Sequence, residues 1–475
     1  MALPLPRTRP ADVGVSSRSV LDLLDDVADQ GIELHSLMVL RGDSVAAEGW
    51  WRPHRPEVGR LLYSLSKSFT SAAIGLLVDD GQLDLDERLV DLLGDAVRGE
   101  VPDGVAAMTV RHALTMTTGH TIDPIFPMFA WTVEHPGDDW LTGFFQLEPE
   151  AEPGSVFTYN QLATYCLSRI VTQRTGQRVV DYLSPRLFEP LGIEGARWLT
   201  DGNGHDWGFS GLHLRTEDIA RFGLLVLRQG TWGDRPVVPA SWIAEATRAQ
   251  VPNDLAHRPA GDPEANADWL RGYGYQFWMT RHGVRGDGAL GQFCVVWPDD
   301  DTVVVTTAAT EDMQGLLDAF DRHLHRGLDQ PTPEDDDALA ERLAELVLPA
   351  AVDHGGTNEP VTATNDAGGA VRRLRSLTLR STDDGWALDL ELAKGAGTIP
   401  VGRSRWLDGT WPSSPSMPVS ASGGWDEAGR HVVHLVFLQS PHRLVLVVDP
   451  DTGTFTASWP QFPLHGTDPG DFAVS

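Results

Sequence analysis

The sequence predicts an α+β domain built on an antiparallel sheet flanked by helices, followed by a smaller all-β domain. Three observations carry this reading. Strand-like segments stand at both ends of the first 330 residues, with helical patterns between them. The later strands of that region are joined by connections too short for a crossover, which makes them antiparallel. Beyond residue 370 the texture changes to short alternating segments separated by turn residues, the pattern of an all-β unit. The expected division is residues 1–330 for the first domain, 331–369 for an acidic helix and linker, and 370–475 for the β domain.

Taken in order, residues 16–31 have helical periodicity between a capping Ser16 and a terminal Gly31. Residues 36–49 read as two short strands around Arg41-Gly-Asp43, a hairpin signal that starts the sheet. Residues 64–78 are apolar on nearly every side and rich in small residues, so they predict a buried central helix. Further helices are predicted at 110–116, 162–175, 216–229 and 240–249. Strands are predicted at 273–278, 291–297 and 302–307, with turn chemistry from His282-Gly283 and Pro298-Asp-Asp-Asp301. An acidic helix at 333–347 leads into the Gly-, Thr-, Asn- and Asp-rich stretch 353–369, the linker candidate. In the last domain the alternating segments are 377–380, 387–392, 432–437 and 444–448. Trp386, Trp406, Trp411, Trp425 and Trp459 are expected to fill a small barrel or sandwich there.

The 475 residues carry 37 Lys+Arg against 67 Asp+Glu, a formal charge of −30. So acidic a chain is excluded as a nucleic-acid reader, which needs a basic surface for the phosphates. With 41% hydrophobic and 22% charged residues, disorder is excluded for most of its length. No run of about 18 apolar residues occurs, so no membrane span is expected. The first residues lack the basic-then-apolar pattern of a secretory leader, and a cytoplasmic location is the default expectation. Cys166 and Cys294 lie inside apolar runs and are read as core residues. No His-Glu-x-x-His, phosphate loop or paired-cysteine site occurs, so no metal and no cofactor is expected.

Of the 37 basic side chains only Lys67 and Lys394 are lysine. Arginine cannot be deprotonated at working pH, whereas a desolvated lysine can act as a base. Lys67 ends the tetrapeptide Ser64-Leu-Ser-Lys67 at the start of the predicted buried helix, where residues three apart are neighbours on one face, roughly 5–6 Å between Cβ atoms. The amine can therefore reach the hydroxyl. A serine hydroxyl becomes a nucleophile when a neighbouring base takes its proton, and burial near a helix N-terminus disfavours the ammonium form. Ser64 is the candidate nucleophile and Lys67 its base.

With these residues the sequence resembles the serine β-lactamase and penicillin-binding protein superfamily, in the branch of class C β-lactamases, D-aminopeptidases and related esterases. The resemblance covers roughly residues 30–310. It rests on Tyr63-Ser-Leu-Ser-Lys-Ser-Phe-Thr-Ser71, Leu114-Thr-Met-Thr-Thr-Gly119, Phe188-Glu-Pro-Leu-Gly-Ile193, Ser210-Gly-Leu-His-Leu-Arg-Thr-Glu-Asp-Ile-Ala-Arg-Phe-Gly223, Gly274-Tyr-Gln-Phe-Trp278 and Gly288-Ala-Leu-Gly-Gln292, in that order. It implies a β-lactamase/transpeptidase-like fold, and some members carry a lipocalin-like β domain to which this tail looks similar. The family's Tyr-x-Asn motif falls on Tyr159, with Gln161 where the asparagine is expected and Asn160 next door as a competing candidate. Tyr159 would share a proton with Lys67 and pass it to the leaving group; Gln161 or Asn160 would hydrogen-bond a substrate carbonyl.

The third motif, usually Lys-Thr-Gly or His-x-Gly on the strand beside the nucleophile, falls on Gly286-Asp-Gly288, without its cation. That cation helps hold a substrate carboxylate in β-lactamases and carboxypeptidases, so its loss points to an ester or simple amide. Arg285 and His282 are the candidate substitutes; one step along a strand turns a side chain to the opposite face, so Arg285 needs a bulge to help. The resemblance places the oxyanion hole at the amides of Ser64 and Ala289, and the bare Gly286 and Gly288 are expected to permit close substrate approach. Phe126, Phe129, Trp131, Trp140, Phe144 and Phe145, in the segment 122–148, are expected either to wall an apolar pocket or to fill the core. The reading is a serine hydrolase acting through an acyl-enzyme on a small ester or amide. The alternative, from the departures at Gln161 and Gly286, is a catalytically weak binding or regulatory protein on the same scaffold. Oligomeric state is not legible.

Overall fold

The computed structural model describes residues 3–128, 139–253, 267–365 and 371–474. The first sheet opens with the hairpin β1 (Leu34–Arg41) and β2 (Ser44–Trp50). A small sheet of β3 (Arg60–Leu61), β4 (Arg197–Trp198) and β5 (Leu212–Leu214) lies apart from it, and β6 (Thr231–Trp232) pairs with β7 (Arg235–Pro236). Then come β8 (Trp278–Thr280), β9 (Gly283–Gly288), β10 (Gln292–Trp297) and β11 (Thr302–Ala308). The main sheet runs β2-β1-β11-β10-β9-β8, every neighbouring pair antiparallel.

Side chains alternate across this sheet, and the alternation assigns its two faces. Met38, Leu40, Cys294, Val296, Val303 and Val305 join one core with the helices Ser66–Asp79, Gln161–Thr175 and Thr216–Leu227. Leu37, Val39, Phe293, Val295, Trp297 and Val304 pack on the other side against Ser17–Asp29 and Met313–Ala319. Ser16 caps the first of these helices by accepting from the Ser19 amide at 3.2 Å. The helix Ser66–Asp79 is buried from Ser66 through Leu77, which is why its sequence shows no polar stripe. Gly75 lets Trp242 lie against it, since a Cβ there would stand 2.4 Å from the indole. Cys166 and Cys294 are both buried and unpaired.

The C-terminal unit is a barrel, not a sandwich. Its strands are β12 (Val361–Asn365), β13 (Leu374–Thr382), β14 (Gly385–Leu392), β15 (Ala396–Arg403), β16 (Leu407–Trp411), β17 (Met417–Trp425), β18 (His431–Phe437), β19 (Arg443–Asp449) and β20 (Thr454–Ser458). Eight of them close the barrel. Successive strands pair antiparallel, and two parallel contacts, Gly402 with Ser422 and Thr364 with Thr454, complete the ring. β16 pairs with the remainder of β17. Inward residues such as Leu377, Leu379, Leu388, Leu390, Val433, Leu435, Leu444 and Leu446 fill it, with Trp386, Trp411 and Trp425. Trp459 packs at its margin, while Trp406 stands outside against Leu348.

The barrel does not stand clear of the first domain. Its apolar cluster takes in Leu61, Tyr63, Leu199 and Leu290. The Leu61 amide donates to the Gln439 carbonyl at 2.8 Å, and Ser210 Oγ lies 2.8 Å from His465 Nε2.

Several sequence expectations need correction. Residues 273–278 are not a strand: Gln276 is left-handed, and its side chain bonds the carbonyls of Ala113 and Leu114, so only Trp278 enters β8. The acidic helix is a short Pro333–Asp335 turn followed by Asp336–Ala344. The expected linker contains β12, and its residues 366–369 lie outside the described residues, as do Phe129 and Trp131. Phe144 and Phe145 are fully buried at a short helix, Trp140–Phe144, and belong to the core; Phe126 is exposed. Among the described residues no helix is long and apolar enough to cross a membrane.

Candidate active site

Ser64 lies in the one-turn helix Tyr63–Leu65 that leads into Ser66–Asp79. Tyr63 has a φ of 49°, a left-handed conformation that a residue with a Cβ adopts at a cost. The turn is held by Ser66, whose hydroxyl donates to the Tyr63 carbonyl at 2.6 Å and accepts from the Leu212 amide at 3.1 Å. Ser64 itself is half-buried.

Lys67 is 1% exposed. Its amine donates to Ser64 Oγ at 3.0 Å, Gln161 Oε1 at 2.6 Å and the Phe209 carbonyl at 2.9 Å. Burial lowers its pKa to about 7, against the opposing pull of the Asp123 and Asp287 carboxylates. The amine is therefore neutral for a substantial fraction of the time at neutral pH, with a lone pair beside the hydroxyl.

Tyr159 lies just before the helix Gln161–Thr175, its ring centroid 4.7 Å from the Lys67 amine. Burial raises its pKa, an effect the nearby Ser64 side chain only partly opposes, so it remains a phenol. The ring stands in an aromatic wall with Trp278 at 5.2 Å and Tyr273 at 6.1 Å. The structure separates the two neighbouring amides. Asn160 is fully buried and caps the helix, accepting from the Ala163 amide at 3.0 Å and donating to Thr118 at 2.9 Å. Gln161 reaches Lys67.

β9 carries the third segment. A Cβ on Gly286 would lie 2.2 Å from Leu65, and one on Gly288 would lie 2.1 Å from the Leu62 carbonyl. Both glycines thus make room for the turn that carries Ser64. β8 pairs only with Gly283, Val284 and Arg285, leaving the outer edge of Gly286 to Gly288 without a strand partner among the described residues. Ala289 follows, half-buried, its amide free of hydrogen bonds among the described residues.

Neither substitute cation reaches the cleft. Arg285 is fully buried, donating to Asp287 at 2.8 Å and to the Met279 and Asp268 carbonyls, with its guanidinium 4.4 Å from the Trp269 ring. His282 is bonded to Asp321 at 2.7 Å at the far end of the hairpin. Asp287 and Asp123 were not singled out by sequence reasoning. Asp287 sat inside the Gly-Asp-Gly segment read for its glycines, and Asp123 falls in a loop with no periodicity. Asp123 accepts from the Ile125 and Gln161 amides at 3.1 and 3.2 Å, and burial raises its pKa. Trp140, half-buried, stacks loosely on Trp207 and Phe209, whose carbonyl holds Lys67.

Residues 22–326 match the Beta-lactamase family. The chain belongs to that family and is a hydrolase of the serine beta-lactamase-related kind. It is similar to a 6-aminohexanoate-dimer hydrolase of Paenarthrobacter ureafaciens, 26% identical over 293 residues, 58% of this chain and 73% of the relative. It is also similar to penicillin-binding protein 4 of Amycolatopsis lactamdurans, 33% identical over 136 residues, 27% of this chain and 33% of that protein. Among solved structures, a putative 6-aminohexanoate-dimer hydrolase from Bacillus anthracis superposes with a TM-score of 0.54 at 20% identity, covering 69% of this chain and 88% of that one. A putative beta-lactamase from Bacteroides dorei gives 0.52 at 18% identity, covering 66% and 99%. These structures share the fold of the first domain.

Proposed function

We propose that the protein hydrolyses a small carboxylic ester or amide through an acyl-enzyme on Ser64. The observation that carries this is the 3.0 Å contact between the buried Lys67 amine and the Ser64 hydroxyl. Neutral Lys67 takes the hydroxyl proton as Ser64 Oγ forms its bond to the substrate carbonyl carbon. The amides of Ser64 and Ala289 stabilise the resulting oxyanion. When the carbonyl re-forms, the Tyr159 phenol gives its proton to the leaving oxygen or nitrogen and regains one from the Lys67 ammonium. Water then attacks the ester on Ser64 with the same base, releasing the acid and restoring the hydroxyl. Gln161 holds the Lys67 amine in place and has an amide nitrogen left to offer a substrate carbonyl. The match to a relative named as a hydrolase supports the same reading.

Incubation with an activated ester, a fluorophosphonate and a penicillin, followed by peptide mass mapping, tests this. An adduct on Ser64 with the ester or the fluorophosphonate is expected. Absence of any adduct on Ser64 from all three reagents would sink the proposal. Ester turnover lost in Ser64→Ala and in Lys67→Ala would exclude the alternative of a binding protein on a hydrolase scaffold.

A further inference from the structure

The cleft beside Ser64 has an unusual charge arrangement. Asp287 lies on the stretch of β9 whose outer edge is unpaired, two residues before the Ala289 amide. Its carboxylate is 8% exposed and accepts from Arg285 through one oxygen only; the other has no hydrogen-bond partner among the described residues. It interacts electrostatically with Lys67, Tyr159 and Tyr273. Arg285 is sealed beneath Trp269 and Trp278 and cannot meet a ligand. The second carboxylate, Asp123, is also within electrostatic reach of Lys67.

Counting charges gives the sign of the site. Arg285 and Asp287 offset one another, Lys67 must be neutral to work as the base, and Asp123 is left over. A substrate carboxylate beside the scissile bond would meet two carboxylates and, among the described residues, no cation able to turn toward it. An ammonium group would meet the unbonded oxygen of Asp287 and the half-buried ring of Tyr159, an aromatic face of the kind that attracts cations. Resting on the hydrolase reading above, we propose that Asp287 makes this cleft a site for esters or amides carrying an ammonium group near the scissile bond, and one that turns away those carrying a carboxylate there.

A merely structural Asp287, present only to neutralise Arg285, would leave charge preference untouched, so the readout is a ratio. Matched phenyl esters are prepared neutral, with a trimethylammonium group, or with a carboxylate, the charge placed on either the acyl or the phenol side. The expected result is kcat/KM for the best ammonium ester at least tenfold above its carboxylate counterpart at low ionic strength, with the ratio shrinking in high salt. In Asp287→Asn the ratio should fall to within about twofold of unity, whatever the absolute rates. A wild-type ratio near unity or reversed, or a ratio unchanged in Asp287→Asn, would overturn the proposal while turnover of the neutral ester left the hydrolase reading standing. Should Asp287→Asn fail to fold, the wild-type ratio and its salt dependence decide. Should no ester be turned over, the hydrolase reading falls. The charge preference is then read from calorimetric Kd values of the corresponding non-hydrolysable ammonium and carboxylate ethers on Ser64→Ala protein, where equal affinities count against it.

Discussion

The hydroxyl of Tyr63 and Nε2 of His442 are 2.5 Å apart, so the residue preceding Ser64 is fastened to the C-terminal barrel. The Leu464 amide donates to the same hydroxyl at 3.3 Å. These contacts bear on the one residue of the nucleophile turn that is held left-handed. Replacing the imidazole should loosen the turn without removing any reacting group. His442→Phe is therefore expected to lower kcat for ester hydrolysis several-fold or more, with a smaller change in KM, as read from Michaelis curves on a neutral ester. An unchanged kcat would mean that the turn holds its shape unaided.

The activity should follow the charge on Lys67. In the proposed mechanism the amine is the base only when neutral; with its pKa lowered to about 7, kcat/KM should fall by about tenfold per pH unit below that value and level off above it. A profile flat from pH 6 to 8 would contradict this.

The same lysine has a stability signature. Its pKa is lowered on folding, from 10.5 to about 7, so the unfolded chain binds the extra proton between those values. Stability attributable to this group is complete above 10.5 and declines as pH falls toward 7, by up to about 1.4 kcal/mol per unit. Lys67→Met should thus raise Tm at pH 7, and the gain should shrink toward pH 10 in parallel calorimetric scans.

Acid should unfold the molecule early. His35, His213, His431 and His434 have pKa values lowered to about 4, and His442 and His465 to about 3, burial being the first cause in every case. Each is neutral in the fold and takes up a proton near 6.5 when unfolded. Their stabilising contribution is whole above that value and is lost progressively down to pH 3–4. All six losses act in the same direction, so cooperative unfolding is expected as pH falls below 6.5, measured by far-UV circular dichroism along an acid titration.

Gly288→Ala should damage the fold more than Gly286→Ala. The added methyl at 288 meets the backbone carbonyl of Leu62, which cannot step aside, whereas at 286 it meets the end of the Leu65 side chain. Thermal melts should show a Tm loss of several degrees at least for the first and a smaller one for the second. A neighbouring pair separates stability from activity: Asn160→Ala should cost about 1–2 kcal/mol through the lost cap, while Gln161→Ala should chiefly reduce turnover.

Much of this was legible in the sequence, for identifiable reasons. The helix bearing Lys67 announced itself because a chain nearly devoid of lysine kept one on an all-apolar segment, and β10 and β11 because unbroken apolar runs have few other uses. The 273–278 segment misled because Tyr, Phe and Trp favour strands by composition, while the turn at Gln276 is imposed by bonds to carbonyls far away in sequence. The glycines of β9 were found, but not the room they make for a turn more than 200 residues earlier. Asp287 escaped for a related cause: its significance depends on where Arg285 goes, and only the folded chain shows that guanidinium sealed from the cleft.

The shared apolar cluster of Leu61, Tyr63, Leu199 and Leu290 with the barrel has an architectural consequence. Neither half is a finished solid without its companion. Cutting the chain ahead of residue 353 would uncover a greasy scar next to Ser64, and grafting on a foreign barrel would require the graft to match that scar side chain by side chain. A change in the tail can therefore be felt at Ser64.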